Sequence, residues 1–432
     1  MERDRILAGD DPAGPNHDRE PRGLVPLRVG LLTTSYPRSH ADHAGVFVRG
    51  FAEALVDRGH TVEVIAPEPR EGSLVKEPKA GIEVHWVPYL RPRSLQRTFY
   101  GAGTPENVAR DPRSWPGLVS FPPAALRAVH QRGRHWDALV SHWALPSTVL
   151  GGLCRAGRPH LGVFHSADLH LIERFPGRRT LASRIARFAT SLLFVTRDHR
   201  ARFLSLLSPL ARAEAAGRCH VSPMGVEPAP PPSGDRRALR PRLGLRGLVV
   251  LSIGRLVPIK GLDIAVRALR ERANCSLVAA GTGPETSRLR RLADDCGVDL
   301  RLVGPIHGQE KERWLEAADV FVVPSRSAHG REEGVPHAML EALLRGLPTV
   351  ASHTGGIGEV LDHDRTGLLV PTESPEALGN AFDLLRDRNL RRRLGRGATR
   401  LGEQYLWTAI APHLEELLLD ETAQEPSRGH PD

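Results

Sequence analysis

Leu248-Val249-Val250-Leu251-Ser252-Ile253 is apolar at every position but Ser252, so both faces of the strand it forms must be buried. A strand of that kind belongs in a parallel sheet with helices on both sides, because an antiparallel sheet with one wet face alternates apolar and polar residues. The run ends at Gly254 and is followed by a helical stretch at 263–270 and another strand at 275–280. The same β–loop–α–β order opens the chain. A strand at 27–34 leads through a loop at 35–44 into a helix whose Val48, Phe51 and Leu55 recur at helical spacing, and Gly59 ends it before a strand at 61–66. Two such openings imply an α/β chain of two Rossmann-like domains with right-handed crossovers. A proline-rich stretch at 227–234 marks the boundary between them. The chain divides into a disordered leader (1–26), a first domain (27–228), a linker (229–246), a second domain (247–390), C-terminal helices (391–421) and a disordered tail (422–432). The 432 residues fit two domains of about 200 each.

Several function classes drop out. The first loop lacks G-x-G-x-x-G, and Gly281-Thr282-Gly283-Pro284 lacks its third glycine, which argues against a nicotinamide cofactor. No run of 18 apolar residues provides a membrane span, and the polar N-terminus has no apolar h-region of a signal peptide. Cys154, Cys219, Cys275 and Cys296 are too scattered for a disulfide framework or zinc site, which favours a reducing cytoplasm. The net charge of +9 is carried almost wholly by arginine, since Lys76, Lys79, Lys260 and Lys311 are the only lysines. Such a bias reflects codon composition more often than a binding surface, and no nucleic-acid partner is expected. Asp362-His363-Asp364 spells D-x-D but lies in a polar turn, where a metal role is rejected. The basic and aromatic segment 90–100 reads as a solvated loop, with a seat on the inner face of a membrane or on an anionic acceptor as its alternative.

Ligands of open α/β sheets bind beyond the carboxyl ends of the strands. His142, His165 and Asp168 stand at such ends in the first half, and Gly254, Arg255 and Lys260 in the second. Two cations at fixed separation neutralise a diphosphate. Further on, Glu333 precedes a helix opened by Pro336 and stopped by Gly346, and Glu341 lies inside that helix. The helix start offers unpaired N–H groups to a phosphate, with one carboxylate before it and one about 7–8 Å beyond.

Glu333 and Glu341 form E-x7-E, and with Gly334, Leu340, Ala342, Gly346 and Pro348 the stretch resembles the signature of family 4 retaining glycosyltransferases. Gly254-Arg255-Leu256-x-x-x-Lys260-Gly261 resembles that family's diphosphate clamp, and His165-Ser166-Ala167-Asp168 its His-Gly-x-Asp segment, with Ser166 where glycine is usual. The similarity runs over about residues 27–420. It implies the GT-B fold, with the donor in a cleft between two domains and a last helix, anchored by Trp407, crossing back to the first.

The resemblance implies a metal-independent transfer needing no cofactor, with a nucleotide diphosphate sugar as co-substrate. The acceptor is a glycan, lipid-linked sugar or small molecule. Arg255, Lys260 and the helix-start residues Gly334, Val335, His337 and Ala338 hold the diphosphate. Glu333 orients the donor sugar, Glu341 holds the ribose and His165, with Asp168 nearby, faces the sugar. Val303 and Ile306 neighbour the base, although core packing also accounts for Val303. Gly45 lets the first loop approach donor phosphate or acceptor, and a turn alone also demands a glycine there. A GT-B nucleotide-sugar isomerase and a non-catalytic nucleotide-sugar binder are the alternatives.

Overall fold

The computed structural model describes residues 25–39, 42, 44–70, 79–101, 103–155, 157–231, 236–327 and 332–422. The leader and tail read from the sequence lie almost entirely outside these, as do parts of the first loop and of the proline-rich stretch. The described chain divides into two compact units. The first comprises residues up to Val195, His199–Pro223 and the segment from Ile410, and the second comprises Thr196–Asp198 and Met224–Ala409.

The first unit carries an all-parallel sheet of seven strands: β1 (Arg28–Leu32), β2 (Thr61–Pro67), β3 (Ile82–Val87), β4 (Ala138–His142), β5 (His160–Phe164), β6 (Ser191–Phe194) and β7 (Cys219–Val221). Their order is β3-β2-β1-β4-β5-β6-β7. The second unit repeats the plan with β8 (Leu248–Ile253), β9 (Cys275–Ala280), β10 (Asp299–Gly304), β11 (Val320–Val323), β12 (Thr349–Ser352) and β13 (Gly367–Val370), ordered β10-β9-β8-β11-β12-β13. In each sheet the winding reverses beside the first strand, between β1 and β4 and between β8 and β11, and that is where such sheets hold ligands. The apolar run Leu248–Ile253 is β8. Leu248, Val249, Val250 and Leu251 are buried, and Val250 joins a core with Ala265, Leu277, Val322 and Val350.

Three sequence expectations need correction. Segment 90–100 is not a solvated loop: Phe99 and Tyr100 are buried in the first unit's core. Gln96 binds the Tyr89 N–H at 2.9 Å and Glu68 at 2.7 Å, and the Tyr100 hydroxyl donates to the Pro67 carbonyl at 2.8 Å. The aromatic side chains read as a membrane seat are therefore committed to packing. The stretch 229–246 is not wholly a linker. Residues Arg236–Arg242 form a helix, tied to the second unit by Arg236 donating to buried Asp319 at 2.6 Å, whose carboxylate also accepts from Val249 N–H at 2.9 Å. Trp407 packs on Gly225, where a Cβ would stand 2.5 Å from its ring, and its main-chain N–H donates to the Val226 carbonyl at 3.2 Å, so it anchors the last helix on the 27–228 stretch as expected. Finally, the Arg388–Glu403 helix groups with the second unit, and only the part of the Trp407–Thr422 helix from Ile410 onward groups with the first. There buried Glu415 pairs with Arg58 and receives the His60 Nε2–H at 3.0 Å, while His60 Nδ1 accepts from Leu27 N–H at 3.1 Å.

Candidate active site

In the second unit the candidate residues gather at the carboxyl ends of the strands flanking the reversal. β8 runs into Gly254-Arg255, and a single turn of 3-10 helix, Pro258–Lys260, returns Lys260 towards Gly254. A Cβ on Gly254 would lie 3.5 Å from Lys260 Cε, and Arg255 is exposed beside it. The Gly281-Thr282-Gly283 turn after β9 backs this loop. A Cβ on Gly281 would fall 1.9 Å from the Gly254 carbonyl oxygen, and one on Gly283 2.1 Å from that of Leu256. These two glycines, too few for a dinucleotide fingerprint, are required by the close approach of two main chains.

Glu333 sits in the loop that precedes the His337–Leu344 helix. Its Oε1 pairs with Lys260 Nζ and its Oε2 accepts from the Ser325 hydroxyl, placed at the end of β11. The loop rests on the turn after β12: Gly356 N–H donates to the Glu333 carbonyl at 3.1 Å and Gly355 N–H to Glu332 Oε2 at 3.1 Å. Gly355 has φ +50°, and a Cβ there would be 2.1 Å from the Glu333 carbonyl oxygen. Gly334 is buried against Gly356, and Val335, His337 and Ala338 are half-buried. Pro336 stands one position before the first helical residue with φ −64°, and its carbonyl accepts from Met339 N–H at 2.9 Å. The first-turn N–H groups of a helix have no partner inside it and carry partial positive charge.

Glu341, one turn along, accepts from Lys311 Nζ at 2.6 Å on Oε1, and His337 Nδ1 stands 3.4 Å from the same oxygen. Burial alone would raise its pKa, but the hydrogen bonds and charges of His337 and Lys311 outweigh it and hold Glu341 at about 2. It is therefore an acceptor at all neutral pH values. Sequence reasoning missed Ser325 and Lys311. The strand-end position of Ser325 was a readable signal, and so was the rarity of lysine for Lys311. Of the base-side candidates, Ile306 is buried and Val303, in β10, is half-buried. In the rejected D-x-D, Asp364 pairs with Arg393 at 2.6 Å and Asp362 with Arg365 at 3.4 Å.

In the first unit His142 ends β4 and His165 follows β5. Their rings stack at 5.4 Å between centroids, with His142 Nδ1 3.2 Å from His165 Nε2. Phe47 and Trp143 close on His165 at 4.8 Å and 5.0 Å, and Trp143 takes the left-handed φ of +68° to do so. Burial, with the neighbouring His199, lowers His165 to a pKa of about 3. Burial and His165 push His142 well below its usual value. Both rings are neutral at pH 7, so His165 acts as a hydrogen-bonding group rather than a cation. Asp168, read from sequence as a donor-side residue, is 1% exposed. Its carboxyl accepts from His165 N–H at 2.8 Å and Ala144 N–H at 3.1 Å, so it acts by fixing the main chain that presents His165. Gly45, at φ +72°, caps the Val46–Asp57 helix, and a Cβ there would be 2.4 Å from the Ser35 carbonyl oxygen. The turn by itself accounts for that glycine.

Comparison with known proteins agrees with the fold. Residues 235–401 match the family described as glycosyl transferases group 1, and residues 44–219 the glycosyl transferase 4-like domain. A D-inositol 3-phosphate glycosyltransferase of Acidothermus cellulolyticus is 33% identical over 67% of this chain and 68% of its own. A second protein of that name, from Geodermatophilus obscurus, is 30% identical over 90% and 88%. A Mycobacterium tuberculosis GDP-mannose-dependent alpha-(1-6)-phosphatidylinositol monomannoside mannosyltransferase is 34% identical, and the match spans 57% of this chain and 66% of that relative. Among solved structures, sucrose-phosphate synthase from Thermosynechococcus elongatus superimposes with a TM-score of 0.73 at 22% identity, covering 92% of this chain and all of that one. WaaG, a glycosyltransferase involved in lipopolysaccharide biosynthesis, superimposes at 0.62 and 16% identity, covering 91% of this chain and all of its own. The chain belongs to the group 1, family 4 glycosyltransferases of GT-B fold.

Proposed function

We propose that this glycosyltransferase moves a sugar from a nucleotide diphosphate sugar to a hydroxyl of a glycan, lipid-linked sugar or small molecule, with retention of anomeric configuration. Arg255, Lys260 and the N–H groups opening the His337–Leu344 helix stabilise the diphosphate as negative charge builds on it. That set supplies the positive charge that a divalent ion supplies elsewhere, so the reaction is metal-independent. Glu333 orients the hydroxyls of the transferred sugar and Glu341 grips the ribose. His165 contributes to transfer as a neutral hydrogen-bonding group. The departing phosphate oxygen takes the acceptor proton on the same face of the sugar. The observation that carries this reading is the pairing of Lys260 with Glu333 at the point where the sheet reverses. It brings the diphosphate-binding cation and the sugar-binding carboxylate into one contact.

The names of the relatives place hexose donors, with inositol phosphates and glycolipids as acceptors, first in a screen. The test is a thermal-shift panel of UDP-, GDP- and ADP-sugars, in which a bound donor raises the melting temperature by mass action. Stabilisation by at least one is expected, and stabilisation by none contradicts a donor site.

The four cysteines are unpaired, which supports a reducing cytoplasmic setting. Among the described residues no helix is long and apolar enough to cross a membrane. For peripheral contact, a different surface replaces segment 90–100. Trp115, Leu118 and Val119 are exposed near exposed Arg110 and Arg113. Co-sedimentation with anionic vesicles, lost in Trp115→Ala/Val119→Ser, supports it, and unchanged sedimentation contradicts it.

A further inference from the structure

Two of the chain's four lysines stand on the two carboxylates of E-x7-E, Lys260 on Glu333 and Lys311 on Glu341. Elsewhere among the described residues arginine makes most of the ion pairs, with Lys79 on Asp57 the exception, and the difference matters chemically. A guanidinium fork tends to engage both oxygens of a carboxylate, whereas an ammonium engages one. Lys311 approaches Glu341 through Oε1, and so does His337. A carboxylate is planar, so holding Oε1 from two directions fixes where Oε2 points.

The imidazole of His337 has a second partner: Nε2 lies 3.0 Å from the Gly225 carbonyl oxygen. Its two ring nitrogens thus face two acceptors, a carbonyl and a carboxylate. The other charged groups nearby are Arg345 on the same helix and Glu312 on the Gly308–Ala317 helix, and they pair with each other.

We propose that Lys311 and His337 are positioning residues that clamp Glu341 through Oε1, ionised and with Oε2 free to receive the donor's ribose hydroxyls. Gly225 and the Gly308–Ala317 helix are the fixed points of the clamp. The inference rests on the assignment of Glu341 to the ribose, and the test separates the two.

The dissociation constant of whichever of UDP, GDP and ADP stabilises the protein is measured by calorimetry, together with that of its 2′,3′-dideoxy counterpart. The wild type binds the ribonucleotide about tenfold more tightly, the difference made by hydrogen bonds to a charged group. Lys311→Met and His337→Gln bring the two constants together, while a merely structural role would weaken both nucleotides equally. Lys311→Arg keeps the charge and the melting temperature but also loses the preference, because its fork covers Oε2. If Glu341→Gln retains the ribose preference, the assignment of Glu341 itself is wrong. If Glu341→Gln loses it while Lys311→Met, Lys311→Arg and His337→Gln keep it, the clamp is wrong.

Discussion

Replacing Lys260 by methionine removes one partner of the Lys260–Glu333 pair, whose side chains are 24% and 14% exposed. It leaves a half-buried carboxylate with the Ser325 hydroxyl as its remaining side-chain partner. Breaking a fully buried pair costs about 3–5 kcal/mol and an exposed one about 0–1, so this partly shielded pair falls at about 1–3 kcal/mol. For a unit of this size that lowers the melting temperature by about 2–10 °C, leaving the second unit folded at room temperature. The effect on transfer is larger in kind. One preorganised charge removed from a leaving group lowers kcat by about 10²–10³. The double variant Lys260→Met/Glu333→Gln tells the two effects apart. It takes away the stranded charge as well as its partner, so it recovers most of the lost melting temperature while transfer stays at least as depressed. Both are read on the same preparations, by calorimetry and by release of nucleoside diphosphate. Wild-type transfer by Lys260→Met refutes the clamp. A double variant no more stable than the single one refutes the claim that the ion pair holds Glu333.

Three further outcomes follow from the same geometry. Asp168 is raised by burial to about 8 from its ordinary 3.8, so the stability it contributes is full below about pH 4 and is lost as pH rises through 8. His160 and His165 are lowered to about 4 and 3 by burial, so theirs is full above pH 6.5 and is lost as pH falls through those values. The first unit's thermal stability therefore peaks near pH 6.5, and Asp168→Asn flattens the alkaline side of the curve; an unchanged alkaline limb in that variant contradicts the assignment. Gly281, at the left-handed φ of +141°, has the Gly254 carbonyl oxygen 1.9 Å from where a Cβ would stand, so Gly281→Ala must displace that carbonyl, lowering the melting temperature and raising the donor KM together; a change in neither shows that this turn does not support the Arg255 loop. Transfer continues undiminished in excess chelator, and full dependence on added Mn²⁺ or Mg²⁺ contradicts the metal-independent reading.

The doubly wound architecture was legible because β8 and its counterparts are buried on both faces and so carry continuous apolar runs. β3 was missed: Glu83, Val84, His85 and Trp86 alternate like an edge strand, and β3 is indeed the edge of its sheet. Segment 90–100 misled for a different reason. Its arginines hide the fact that Gln96, Thr98, Phe99 and Tyr100 point inward, and only tertiary partners such as Glu68 and Pro67 reveal it. The E-x7-E stretch announced its carboxylates through spacing along one loop and helix. Their partners Lys260, Ser325 and Lys311 come from other strands and helices, where no spacing rule links them to Glu333 or Glu341. Asp168 was legible as a member of the histidine segment but not as a buried cap, because the Ala144 N–H that it accepts is 24 residues away.

The most direct test of the central claim is an NMR time course of the protein with a nucleotide diphosphate sugar that stabilises it and a hydroxyl acceptor. The account predicts release of nucleoside diphosphate in step with a glycoside whose anomeric configuration matches that of the donor. A product of inverted configuration, or an isomerised nucleotide sugar with no diphosphate released, contradicts it.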